Sequence, residues 1–225
     1  MTLTVRTLSV LIFATCMSVA SAQFNIATST DIFTPSFRGG TDTSWVGWDS
    51  FDDNGAFDMV INDLTPDIGT DSGTFVTTNG EDHLSGSLNY YSGGGSVAED
   101  ITFVSPGTGG AGFTTLIVQA KTLFGGFGTI PDFSAIDGVT PTVVSGDNAG
   151  GSAQIFAKYE IPGTPSGAFS ISSGPASFVS FDKFVVDAYW SPNGYATDSA
   201  IVPEPSTLTL ASMFLVSLLG IRRRR

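Results

Sequence analysis

The amino-acid sequence predicts an all-β fold: an antiparallel β-sandwich or jelly-roll-like body, preceded by a signal helix and followed by a transmembrane helix. Three observations lead there. Glycine supplies 27 of the 225 residues, above the usual share of about 7%, and clusters with Ser, Thr, Asn and Asp between short runs of Phe, Val, Ile and Tyr. Two of those runs alternate apolar and polar residues with the period of a strand. No stretch of the body keeps a helical period, and short strands joined by turns without intervening helices describe a sandwich.

The elements follow in chain order. Arg6 gives a positive start, residues 8–19 are mostly apolar, and Ala20-Ser21-Ala22 offers small residues for cleavage, so residues 1–22 form a signal peptide and signal peptidase leaves Gln23 first. The single cysteine, Cys16, lies in the removed segment, and Phe13, Ala14 and Thr15 before it do not make a lipobox. The mature chain therefore has no disulfide, thiolate metal site or cysteine nucleophile. A body over residues 23–193 is large enough for one unstapled core.

Within the body the clearest strand is residues 152–161, where Ala153, Ile155, Ala157, Tyr159 and Ile161 alternate with Gln154, Phe156, Lys158 and Glu160, predicting one buried and one mostly wet face. Thr114, Leu116, Val118 and Ala120 form a second inward row against Thr115, Gln119 and Lys121. Residues 177–191 make a long aromatic strand broken by a bulge, with Phe178, Phe184, Val186 and Trp190 on one parity. Weaker strands are expected at 24–28, 57–61, 74–78, 87–91, 101–104 and 168–171. Residues 194–205 are expected to be an exposed connector.

After Pro203-Glu204-Pro205, residues 206–221 are apolar and Arg222, Arg223, Arg224 and Arg225 follow. As a helix that run spans about 24 Å, short of the roughly 30 Å hydrocarbon core, but snorkelling arginines and local thinning make a span feasible. Its apolar side chains cover all sides of the helix, which favours spanning over lying on the surface. Four arginines stay on the cytoplasmic side, which puts the body across the membrane. The tail resembles the PEP-CTERM sorting signal: a Pro-Glu-Pro tripeptide, a short hydrophobic helix and a terminal arginine cluster in a protein with a signal peptide. The resemblance covers residues 202–225. It implies recognition by exosortase, a membrane transpeptidase-like protease, and delivery to the surface or matrix of an exopolysaccharide-making Gram-negative bacterium. It implies nothing about activity in the body, because such proteins carry unrelated bodies.

The body's own chemistry is sparse. Its bases are Arg38, Lys121, Lys158 and Lys183 against twenty acids, a balance of −16. Nucleic acid is excluded as a partner, because phosphate binding needs clustered Lys and Arg. The lone histidine, His83, sits in the polar stretch 79–83 and is expected to be a solvated loop residue. Without a G-x-S-x-G elbow or a placed general base, no serine triad is expected. Paired carboxylates for a glycan hydrolase cannot be selected from twenty acids by spacing alone. Gly107, Gly109 and Gly112 match G-x-G-x-x-G, but residues 113–121 form a strand where a pyrophosphate site needs a helix N-terminus, so this is expected to be a hairpin connection.

The stretch 45–58 sets Trp45, Trp48, Phe51 and Phe57 beside Asp49, Asp52, Asp53 and Asp58. Exposed tryptophans would offer a sugar-stacking platform, with Trp45 and Trp48 as candidates. Asp49, Asp52 and Asp53 are calcium-ligand candidates, since calcium takes six to eight oxygens. Setting Gly55 as the sixth loop position puts Ile61 where an EF-hand needs glutamate, and the competing reading is a turn at Asp53-Asn54-Gly55 with both tryptophans in the core. The expectation is a non-catalytic, cofactor-free surface protein in contact with exopolysaccharide. A carbohydrate-binding module is the alternative and a carboxylate-dependent hydrolase the third reading.

Overall fold

The structure is a computed structural model and describes residues 23–51, 61–78, 82–84, 88–92, 97–107, 111–123, 131–147, 152–173 and 180–201. Among these residues fifteen strands alternate with turns: β1 (Gln23–Asn25), β2 (Thr43–Trp48), β3 (Asn62–Asp63), β4 (Ile68–Gly69), β5 (Gly73–Thr77), β6 (Asp82–Leu84), β7 (Tyr90–Ser92), β8 (Val97–Phe103), β9 (Phe113–Thr122), β10 (Asp132–Phe133), β11 (Thr142–Asp147), β12 (Ala153–Pro162), β13 (Ala168–Ser173), β14 (Ser180–Ser191) and β15 (Ser199–Ile201). The chain is all-β: the described residues hold no α-helix and only one 3-10 turn, Ile26–Thr28. No helix among them is long and apolar enough to cross a membrane. The expected signal peptide, transmembrane segment, Pro203-Glu204-Pro205 and Arg222–Arg225 lie outside the described residues.

An eight-stranded sheet runs β11-β12-β9-β14-β2-β4, with β7 pairing the start of β14 and β6 pairing β7. A five-stranded sheet runs β10-β13-β8-β5-β3, and both sheets are antiparallel throughout. The registers line up side chains by parity: Ala157, Val118, Val186 and Val46 form one row across four strands. That inner face shares one core with Phe75, Ile101, Phe103, Phe169 and Ile171 of the smaller sheet. Ring packing fixes its centre, with Trp48 5.7 Å from Phe75 and Phe184 5.3 Å from Phe75. The register of β14 against β9 slips between Phe181 and Lys183, which places the expected bulge.

Three sequence expectations change. The second face of β9 and β12 is not wet, for Thr115, Ile117, Gln119, Gln154 and Phe156 are all buried. Residues 23–38 cross it as a strap, and Phe24, Phe33 and Phe156 gather with ring centroids 5.2–6.5 Å apart. Residues 194–201 are not a free connector. Asp198 and Ala200 are buried, and β15 pairs in parallel with β1, Gln23 opposite Ser199 and Asn25 opposite Ile201. Third, residues 107–112 do not close a hairpin, because β8 and β9 belong to different sheets. Gly107 and Gly112 instead press on the indole of Trp190. A Cβ on Gly107 would lie 2.8 Å from Trp190 Cγ, and one on Gly112 would meet Nε1.

Candidate functional site

Strand β2 carries both tryptophan candidates, and strand geometry separates them. Side chains alternate faces along a strand, so residues three apart point oppositely. Trp48 turns inward between Phe75 and Phe184, is wholly buried, and leaves its indole Nε1 without a hydrogen-bond partner. It cannot stack a sugar, which corrects the candidate role drawn from the sequence. Trp45 turns outward and is half-buried, with the Arg38 guanidinium 4.5 Å above its ring centroid. The two indoles therefore share no platform. Gly47 between them lets β2 lie close to β14, since a Cβ there would sit 2.8 Å from the Phe184 carbonyl oxygen.

Arg38 does more than cover Trp45. It donates through Nε and Nη2 to both oxygens of Asp187, the latter at 2.6 Å, and the Asp187 side chain has no exposed area. Burial pushes the Asp187 carboxyl above the ordinary carboxylate range, against the opposing pull of Arg38 and Gln119. Gln119 also bonds both the N–H and the carbonyl of Phe33 at 2.9 Å, as a strand backbone would. Asp198 accepts from the Ser36 N–H at 2.8 Å and from its hydroxyl at 2.9 Å. These groups latch the strap. Their polarity is consumed by the fold.

All four bases of the body lie on this side of the larger sheet, each paired with acid. Besides Arg38 with Asp187, Lys158 meets Glu160 at 2.8 Å, Lys121 meets Asp182 at 3.0 Å, and Lys183 meets Asp31 at 3.5 Å. Lys121 and Lys183 stand opposite each other across β9 and β14. Like charges so placed repel, and Asp31, in reach of both, relieves the repulsion.

The acidic stretch leads to a different place. Asp49 is exposed, while Asp52 and Asp53 lie outside the described residues, as does the Asp53-Asn54-Gly55 turn. A cavity of about 400 Å³ opens beside Asp49, lined by Ser50, Phe51, Asp63, Leu64, Asp67 and Leu88 among others. Asp67 Oδ2 accepts from the N–H groups of Asp49 and Ser50 at 3.1 and 3.0 Å, fixing one wall. Leu64 and Leu88 stand 53% and 48% exposed at the rim. Leu88 has φ of +61°, and its carbonyl accepts from the Phe51 N–H at 2.9 Å. A non-glycine residue in that region is strained, a feature that collects at ligand clamps. The cavity thus offers apolar C–H contacts beside carboxylate acceptors, the combination a sugar ring with its hydroxyls requires. Spacing could not have shown it, because Leu64 and Leu88 meet only through the fold.

Among the described residues no three His, Cys, Asp or Glu side chains are grouped to hold a metal ion. His83 lies in strand β6 opposite Tyr91 rather than in a loop. No protein-family model, no curated protein and no solved structure matches this chain.

Proposed function

We propose that this chain is an exported, exosortase-sorted protein of the cell surface or extracellular matrix, whose β-sandwich body is non-catalytic and contacts exopolysaccharide. The observation that carries the reading is the order of elements at the C-terminus: Pro203-Glu204-Pro205, the apolar residues 206–221, then Arg222–Arg225. The architecture is compatible with it. The last strand, β15, docks on the body through Ile201, so the tripeptide begins two residues beyond a paired element. Proline fixes φ and disfavours helix, so the Pro203-Glu204-Pro205 sequence favours an extended strip that a protease can bind as a strand. The sandwich reading rests on both sheets contributing to one core. The test compares mass and fractionation of wild type, Glu204→Ala and the four-arginine-to-glutamine variant in hosts with and without exosortase. Processing that requires both exosortase and Glu204 is expected, and identical mass and location throughout would refute it.

A second reading, a lectin-like module, is favoured by the cavity between Leu64, Leu88 and Asp67. A glycan array probed with residues 23–201 should then show binding that Leu64→Ala and Asp67→Ala abolish. A silent array would leave the body a structural unit alone.

A further inference from the structure

A sheet edge presents unpaired N–H and C=O groups, and soluble proteins blunt such edges with very short strands, lysine, proline or bulges. Six described edge strands here follow that practice: β3, β4 and β10 have two residues each, and β1, β6 and β15 have three. The exception is β11, six residues from Thr142 to Asp147, which ends the larger sheet and pairs only with β12 among the described strands. It contains no lysine, proline or arginine, and its single charge is Asp147 at one end. Residues 143–146 are all partly exposed on both faces, whereas the matching residues of the inner neighbour β12 are buried. Val143 packs toward the core between the sheets and Val144 toward the outer cluster, so both faces of the edge are already anchored.

We propose that β11 is the interface for a second copy of this chain, the two β11 strands pairing antiparallel about a two-fold axis to join two larger sheets into one. The charge pattern selects this arrangement. Antiparallel pairing, with the axis at Val144 or Ser145, sets Asp147 of each copy near Thr142 of the other and leaves the two carboxylates about 14–20 Å apart at about 3.4 Å per residue, beyond the screening length of about 8–10 Å at physiological salt. Parallel pairing would set the carboxylates side by side, with like charges opposed. Because each edge offers the same donor and acceptor row, one two-fold satisfies both. Pairing of six residues a side buries less than the about 1,200 Å² of a stable interface, so the dimer belongs to the weak class and forms where copies are concentrated. Each body carries −16, and salt should strengthen the dimer by screening that repulsion. The other described edges are too short to add a third copy, so assembly stops at two.

The experiment uses the full-length chain with Cys16→Ser, purified in detergent, and cysteine placed singly at Thr142, Val144, Ser145, Asp147, Leu64 or Thr102. A disulfide needs Cα atoms about 4.4–6.8 Å apart. Mild oxidation should give at least five-fold more disulfide dimer at Val144 or Ser145 than at Leu64 or Thr102 on the exposed surface, with lower yield at the strand ends. Raising salt should increase that yield at least two-fold, and Ser145→Lys in the Val144→Cys background should reduce it at least five-fold. A flat profile, or a maximum at Leu64 or Thr102, would overturn the proposal. The cysteine scan stands without the lysine variant, and it reads the interface independently of sorting.

Discussion

Replacing Arg38 by methionine keeps most of the aliphatic stem while removing the guanidinium that grips Asp187 and covers Trp45. The Asp187 side chain is wholly buried, so its carboxylate cannot turn to water for compensation. Removing one partner of a buried pair costs about 3–5 kcal/mol, a large share of the about 5–15 kcal/mol that holds a domain together. Urea unfolding of residues 23–201 should show that loss. Hydrogen exchange should quicken first at the amides of Phe33 and Ser36 in the strap, which the side chains of Gln119 and Asp198 hold. Replacing the pair together, Arg38→Met with Asp187→Leu, should return stability to within about 1 kcal/mol of wild type, since apolar substitution of a buried ion pair is often neutral. The pH dependence has a defined sign. Burial dominates and raises the Asp187 carboxyl, so its contribution is full below the unfolded value of about 3.9 and is lost as pH rises through the folded value. The advantage of wild type over the non-titrating Asp187→Asn should shrink from pH 3 toward neutrality. An Arg38→Met variant as stable as wild type, or an advantage that widens with pH, would refute the reasoning.

Other outcomes follow from the packing. Gly112→Ala drives a methyl into the Trp190 indole and should lower stability by about 1–3 kcal/mol, read as a fall in Tm. Trp48→Ala should cost about 3–5 kcal/mol as a core truncation, while Trp45→Ala should unfold at nearly wild-type denaturant. The Tyr159 phenol donates to the Ser134 carbonyl at 2.9 Å, and burial pushes its pKa upward. Its contribution is therefore present below about pH 10 and lost as pH rises through the folded value, and Tyr159→Phe should flatten the alkaline unfolding limb.

Much of the fold was legible. The alternation at 152–161 and 114–120 became β12 and β9, and the aromatic run became β14 with its bulge. What escaped shares one cause. Gln119, Asp187 and Asp198 look like solvent-facing residues, and polarity does not tell whether the partner is water or a strap 86 to 162 residues away. The end of the body was misplaced for the same reason, since residues 199–201 become a strand only when residues 23–25 lie beside them. Trp45 and Trp48 were separable in principle, because any strand through both must point them apart, but the aromatic and acidic clustering masked Thr43–Trp48 as a strand. The cavity rim at Leu64 and Leu88 left no local trace.

The parallel pair of β1 and β15 imposes an order on folding. The first strand of the body finds its partner only in the last, so the loop between them closes late and slowly, as long-range contacts do. Until residues 199–201 arrive, nothing caps the far side of the strap, and Phe24 and Ile26 lack Ala200, with which they share a buried cluster. On the proposed export route, the chain would complete its outer layer only once the whole body has crossed the membrane. A truncated or stalled chain would display an apolar flank, which quality-control proteases can recognise.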